Sequence, residues 1–189
     1  MRGQHERPCI LSTQADTDRP MLTARFMQSA IDLSRSSIDR PGTRPYAALI
    51  VRDGDIVGHG LNEVDAKCDP TAHGEIQAIR CACQHLKTTD LAGCELYATC
   101  EPCVMCAAAM YRARIEKLYF AIPFDRSAAL LKSSTPKGDF ALLDNDELAT
   151  QLGKPVLERQ VAAEQTMEEE AFVVLQEWWD HQSKGHEKK

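Results

Sequence analysis

Apolar positions recur along this chain in two alternating rhythms, one helical and one extended. Within residues 22–38, Phe26, Met27, Ala30, Ile31 and Leu33 share one broad face at helical spacing, which predicts a helix covering a sheet. Residues 47–51 and 56–58 are short apolar runs on either side of Arg52-Asp53-Gly54-Asp55, and an Asp-Gly pair so placed predicts a tight antiparallel hairpin. A long connection over 62–70 then leads into a helix whose later faces are Ile76, Ile79, Arg80, Cys83 and Leu86, with Asp69 or Thr71 available to cap its first turn. Residues 91–98 read as the next strand, 103–112 as a helix and 115–122 as another strand. Helices alternating with strands predict an α/β layered fold, with helices packed on a sheet.

Beyond Pro123 the pattern thins. Pro136 and Gly138 mark a loop, 144–152 suits a short helix and 156–161 an edge strand. A clearer helix follows: Met167, Ala171, Val174, Leu175 and Trp178 recur at helical spacing, and Glu168, Glu169 and Glu170 suit the positive end of its dipole. At least one of Trp178 and Trp179 is expected to pack that helix on the core. Residues 1–20 are charged and aperiodic and read as a disordered arm, while 183–189 read as a charged tail. No repeat or linker interrupts 21–182, which reads as a single domain.

Composition narrows the classes. With 189 residues, 43% of them apolar and 26% charged, the chain can bury a core without covalent staples. Its eight cysteines therefore need no disulfide framework, and a polar start without an apolar leader fits a reducing cytoplasm. No apolar run approaches the roughly 18 residues of a membrane span. A formal net charge of -6 argues against a protein that binds mainly by neutralising phosphates, so Arg35, Arg40, Arg44, Arg112, Arg114 and Lys117 read as solvated surface.

The candidate chemistry lies in two runs, Thr71-Ala72-His73-Gly74-Glu75 and Thr99-Cys100-Glu101-Pro102-Cys103-Val104-Met105-Cys106. Cys103 and Cys106 stand one helical turn apart, so both sulfurs can reach one ion, and His73 would be a third ligand. Soft thiolates with an imidazole favour zinc over magnesium or calcium, and three protein ligands leave a fourth position for water. Two thiolates cancel the formal charge of Zn²⁺, so the ion acidifies its water weakly and a base is needed. Glu75, two residues after His73, can supply that base without ligating. The competing arrangement is a closed structural site that adds Cys100, but Pro102 at a helix start and the spare Glu75 suit an open site better. Cys68 and Cys100 are expected outside the metal cavity, Cys81, Cys83 and Cys94 in the core, and His59 and His85 on the surface or at element ends.

Residues 22–120 resemble the cytidine-deaminase-like superfamily, especially its bacterial nucleobase and nucleoside branch. Asn62-Glu63-Val64, Asp69-Pro70-Thr71-Ala72-His73-Gly74-Glu75, Asp90-Leu91-Ala92-Gly93-Cys94-Glu95-Leu96-Tyr97 and Cys100-Glu101-Pro102-Cys103 carry the likeness. His-x-Glu followed by Pro-Cys-x-x-Cys is the signature of zinc deaminases. The resemblance implies a three-layer α/β/α sandwich with a mixed sheet of about five strands, and a homodimer or larger oligomer. It further implies zinc on His73, Cys103 and Cys106, with Glu75 as proton shuttle. Asn62 would bond the substrate ring and a backbone group of Ala72 would help read it. Tyr46 sits where relatives usually carry Phe in a Pro-Phe-Gly-Ala run, here Pro45-Tyr46-Ala47-Ala48, and is either a pocket residue or a core aromatic.

Glu63-Val64, Thr89-Asp90-Leu91 and Glu158-Arg159 before a Trp-bearing helix look like bacterial guanine deaminases. That likeness implies hydrolytic deamination of a free purine base, guanine or a related aminopurine, in purine metabolism, and a C-terminal segment that closes over a pocket. Three features depart from it. Gly74 replaces the usual Ala, Arg112 stands where guanine deaminases tend to carry Trp, and Cys103-Val104-Met105-Cys106-Ala107-Ala108-Ala109-Met110 also looks like the tRNA adenosine deaminases. The acidic C-terminal helix suits a small substrate better than RNA. The alternatives are cytosine or nucleoside deamination, tRNA editing, and a structural zinc-binding module.

Overall fold

The computed structural model describes residues 14–134 and 145–186. The chain divides into two compact units, Met1–Ala141 and Leu142–Lys189. In the first unit the predicted hairpin forms as β1 (Arg44–Arg52) and β2 (Asp55–Asn62). Asp53 and Gly54 both take positive φ, 53° and 86°, as the tight turn requires. β3 (Cys94–Cys100) pairs antiparallel with β1, and β4 (Lys117–Ile122) runs parallel to β3. The resulting sheet is mixed, in the order β2-β1-β3-β4.

Residues 47–51 are buried without a break because this strand is covered on both faces. Ala48 and Ile50 join Leu96, Ala98, Ala78, Ala82 and Leu91 on one side, while Leu49, Val51 and Tyr97 meet Phe26 and Ala30 on the other. The first side belongs to α3 (Gly74–Leu86) and α4 (Val104–Ala113), the second to α1 (Gln14–Arg35), giving the α/β/α layers. A parallel β3–β4 pair needs a crossover, which α4 (Val104–Ala113) supplies.

After β2 come a single turn of helix, α2 (Val64–Lys67), and then α3 (Gly74–Leu86). α3 lies backbone to backbone on β2: a side chain at Gly60 would collide with the Gly74 carbonyl oxygen and the Ala78 nitrogen. That close approach fixes where the first turn of α3 sits.

Several boundaries differ from the sequence expectation. α1 starts at Gln14 with Pro20 inside it, so residues 14–20 are helical rather than part of an arm. Residues 19–22 are exposed, and a stretch with no buried side leaves no apolar stripe to read. Residues 1–13 lie outside the described residues. β3 begins at Cys94 rather than Leu91, because Gly93 (φ 82°) and the Cys94 N–H bond to Leu91 O close a turn there. The sheet has four strands among the described residues, where about five were expected. Residues 156–161 do not form an edge strand; Val156–Glu158 is a 3-10 turn. Arg159 folds back onto the carbonyls of Lys154 (3.1 Å) and Leu152 (3.5 Å), and Gln151 takes the Gln160 N–H, so local partners satisfy groups a strand would offer its neighbour.

After β4 the first unit adds α5 (Phe124–Ser134), while the loop expected at Pro136 and Gly138 lies outside the described residues. The second unit holds α6 (Asn145–Leu152), that 3-10 turn and α7 (Glu168–His186). α7 extends through residues 183–186 of the expected tail. Trp178 and Trp179 are 55% and 65% exposed, with ring centroids 6.3 Å apart, so neither fills a core. No described helix is long and apolar enough to cross a membrane.

Candidate active site

Two helix starts meet at the predicted metal site. α3 begins at Gly74, so His73 is its N-cap residue, extended at φ -68° and ψ 154°. Cys103 holds the same place on α4, at φ -66° and ψ 169°. Neither Asp69 nor Thr71 caps α3; Asp69 Oδ1 instead accepts from Thr71 N and Oγ1, closing a turn before the helix. An extended N-cap carries its side chain off the end of the helix, so both ligands stand in the positive field of a helix terminus. Cys106, one turn into α4, completes the set.

His73 Nδ1 lies 3.6 Å from both Cys103 Sγ and Cys106 Sγ, and the three donor atoms fall within 4.8 Å of one another. A tetrahedral zinc with ordinary Zn–S and Zn–N bonds holds such atoms roughly 3.5 Å apart, so the spacing fits that ion. The charges fit as well. The Cys106 thiol donating to it, with the His73 ring beside it, holds the Cys103 thiol down at about 4 against the opposing effect of burial. The same sharing keeps the proton on Cys106, whose thiol is pushed far up. The nearby Cys103 also raises His73 above its usual value, while Arg44 opposes that protonation. Arg44 is itself clamped on Asp65 by two 3.0 Å bonds.

Glu75 is 8% exposed, and its carboxylate lies close enough to the donor set to feel the charges on Cys103 and His73. Burial, reinforced by the charge on Cys103, raises its pKa above the usual carboxylate range. Asn62 ends β2, is 4% exposed, and its Oδ1 accepts from Val64 N at 3.4 Å. Ala72 is fully buried; it gives its N–H to Asp69 O (3.0 Å) and takes Glu63 N–H on its carbonyl (2.9 Å). A carbonyl has two lone pairs, so this bond uses one of them. Half-buried Tyr46 is the third residue of β1, with its Oη 2.9 Å from Ser127 Oγ.

A family profile for the cytidine and deoxycytidylate deaminase zinc-binding region matches residues 21–122. The chain belongs to this deaminase family. It is a zinc-dependent hydrolytic deaminase, and His73, Cys103 and Cys106 are placed to hold the ion. The deaminase is 33% identical over 153 residues to guanine deaminase of Bacillus subtilis (strain 168), covering 81% of this chain and 91% of that enzyme. The X-ray structure of guanine deaminase from Bacillus subtilis matches with a TM-score of 0.71 at 32% identity, covering 83% and 93% of the two chains. Against tRNA-specific adenosine deaminase of Aquifex aeolicus (strain VF5) it is 43% identical over 96 residues, 51% of this chain. The chain spans 63% of the length of that second enzyme.

Four further residues lie near this deaminase site that the sequence reading gave no part in it. Cys100, expected away from the cavity, is 8% exposed and feels the Glu75 charge, though it is not among the three metal-facing donors. Glu101 lies in the quoted motif, and its Oε2 accepts Phe124 N–H at 2.9 Å. Glu63 carries a charge cluster: Lys67 Nζ at 2.7 Å, Gln77 Nε2 at 3.0 Å and Arg40 at 3.9 Å. Ser127 had no sequence signal at all. His59 and His85 are exposed, as expected.

Proposed function

We propose that this deaminase acts on a free purine base, guanine or a close aminopurine, replacing the ring C–NH₂ by C=O at the expense of one water and releasing ammonia. What carries the reading is a single juxtaposition: a buried carboxylate, Glu75, held against a three-donor set that leaves an ion's fourth position open. The guanine deaminase relative, aligned over 81% of the chain, supports the purine base.

When bound, zinc supplies Lewis-acid activation of the attacking water. Glu75 takes a proton from that water and passes it to the ring nitrogen beside the amino-bearing carbon, then takes the remaining proton of the added hydroxyl and delivers it to the departing amine as C=O forms. A carboxyl group raised by burial holds a proton readily between those transfers. Asn62 bonds the ring, the free lone pair of Ala72 O accepts from it, and Tyr46 borders the cavity.

Residues 21–182 act as one catalytic domain in this reading, which the length of the guanine deaminase alignment supports. The protein is a homodimer, a reading supported by the exposed Tyr111 (85%), Phe120 (45%) and Ile122 (41%). A cytoplasmic site of action agrees with free Cys68, Cys81, Cys83, Cys94 and Cys100.

The second reading, tRNA adenosine deamination, is favoured by the higher identity to the Aquifex enzyme, but over 51% of the chain only. A screen of ammonia release from guanine, adenine, cytosine, their nucleosides and a tRNA anticodon stem-loop separates the two. Release from guanine and not from the stem-loop is expected; the reverse would overturn the proposal.

A further inference from the structure

The hydrogen bonds that seat the first turns of α5 lead back to the catalytic shell. The Glu101 N–H donates to Ile122 O at 2.8 Å while its carboxylate takes Phe124 N–H, so the residue after Cys100 clips β4 and the start of α5 together. One turn on, the Ser127 hydroxyl meets Tyr46 Oη at 2.9 Å. Tyr46, the third residue of β1, lies against the first turn of α3, where a methyl group on Gly74 would stand 2.9 Å from the Tyr46 carbonyl oxygen.

Ser127 reaches Tyr46 where the pairing of β1 with β3 has stopped. The last β1–β3 pair towards the site is Ala48 with Ala98. Beyond it, Thr99 Oγ1 stands in for a rung, accepting Ala47 N–H at 3.0 Å and donating to Ala47 O at 3.3 Å. At Tyr46 no ladder bond to β3 remains, and the Ser127 hydroxyl is what holds the ring. The phenylalanine usual at this position in similar deaminases has no hydroxyl to offer, so the bond depends on this chain's own Tyr46.

We propose that Ser127 is a positioning residue that latches Tyr46 as a fixed wall, closing the substrate cavity on the α5 side so that a free base is admitted and its nucleoside is disfavoured. The proposal rests on the purine-base reading of the site and names the device that sets its selectivity. Losing one neutral hydroxyl–hydroxyl bond is a modest change, so the effect falls on substrate binding rather than on proton transfer.

The test uses the zinc-loaded full chain as wild type, Tyr46→Phe, Ser127→Ala, the double variant and Ser127→Thr, with zinc content checked in each. Each single loss should raise KM for guanine by about three- to tenfold and leave kcat within about twofold. The ratio of guanosine to guanine kcat/KM should rise by a similar factor. The double variant should match either single one, because the same bond is lost, and Ser127→Thr should restore the wild-type values. Unchanged KM and ratio in both single variants, or losses that add in the double, would overturn the latch. Turnover of another base in place of guanine would refute the guanine reading alone; the same comparison on that base and its nucleoside then decides the latch. Turnover of no base would remove both.

Discussion

Gly74 packs directly on the backbone of Tyr46: a methyl group there would stand 2.9 Å from the Tyr46 carbonyl oxygen and 3.1 Å from Ala47 Cα. All the nearest atoms are backbone, Gly60 O at 3.2 Å included, so no side chain can turn aside to make room. Gly74→Ala should therefore destabilise the protein by about 1–3 kcal/mol, the usual cost of overpacking. The helix-propensity gain of up to about 1 kcal/mol works against that cost without cancelling it. Urea unfolding of the wild type and Gly74→Ala tests this; a variant as stable as the wild type would refute the clash.

Glu75 is assigned to proton transfer and not to ligation. Glu75→Gln keeps the size of the side chain, so zinc bound per chain should stay at the wild-type level while kcat falls by about 10²–10⁴-fold. Elemental analysis beside steady-state kinetics reads both. Loss of zinc would instead make Glu75 a ligand.

Cys103 is one of the three donors placed to hold the ion, with its thiol held down at about 4 by the Cys106 thiol and the His73 ring. Cys103→Ala should abolish stoichiometric zinc binding and activity together. Chelating zinc from the wild type should remove activity reversibly and lower the melting temperature, since anything bound only by the folded state stabilises it. A chelated protein that still turns over substrate would contradict the site.

Glu63 offers a stability prediction with a definite sign. Hydrogen bonding from Lys67, opposed by partial burial and aided by Gln77, holds its carboxyl below the ordinary value of 4.5. A depressed folded pKa means the contribution is fully present above the unfolded value and lost as pH falls through the folded one. The stability advantage of wild type over Glu63→Gln should be constant from neutral pH down to about 5.5 and shrink on further acidification. Urea midpoints across that range test it; an advantage that grows on acidification would reverse the assignment.

The parts of the site that could be read from sequence are those in which spacing alone brings groups together. Cys103 and Cys106 need one helical turn, His73 and Glu75 need one helix start, and Asp53-Gly54 needs only its own backbone. What escaped is non-local or local in an unexpected sense. Ser127 and Tyr46 are 81 residues apart in the chain, and nothing in either neighbourhood announces the pair. Cys100 was expected outside the metal cavity, yet the end of β3 carries it close enough to feel the Glu75 charge. The 3-10 turn at Val156–Glu158 depends on where the Arg159 guanidinium folds, which apolar alternation does not encode.

The central claim is tested most directly by following guanine through the zinc-loaded protein, with ammonia and xanthine quantified in the same reaction and Glu75→Gln as the control. The account predicts ammonia and xanthine in equal amounts from the wild type and almost none from the variant. No xanthine from the wild type, or undiminished ammonia from the variant, would contradict it.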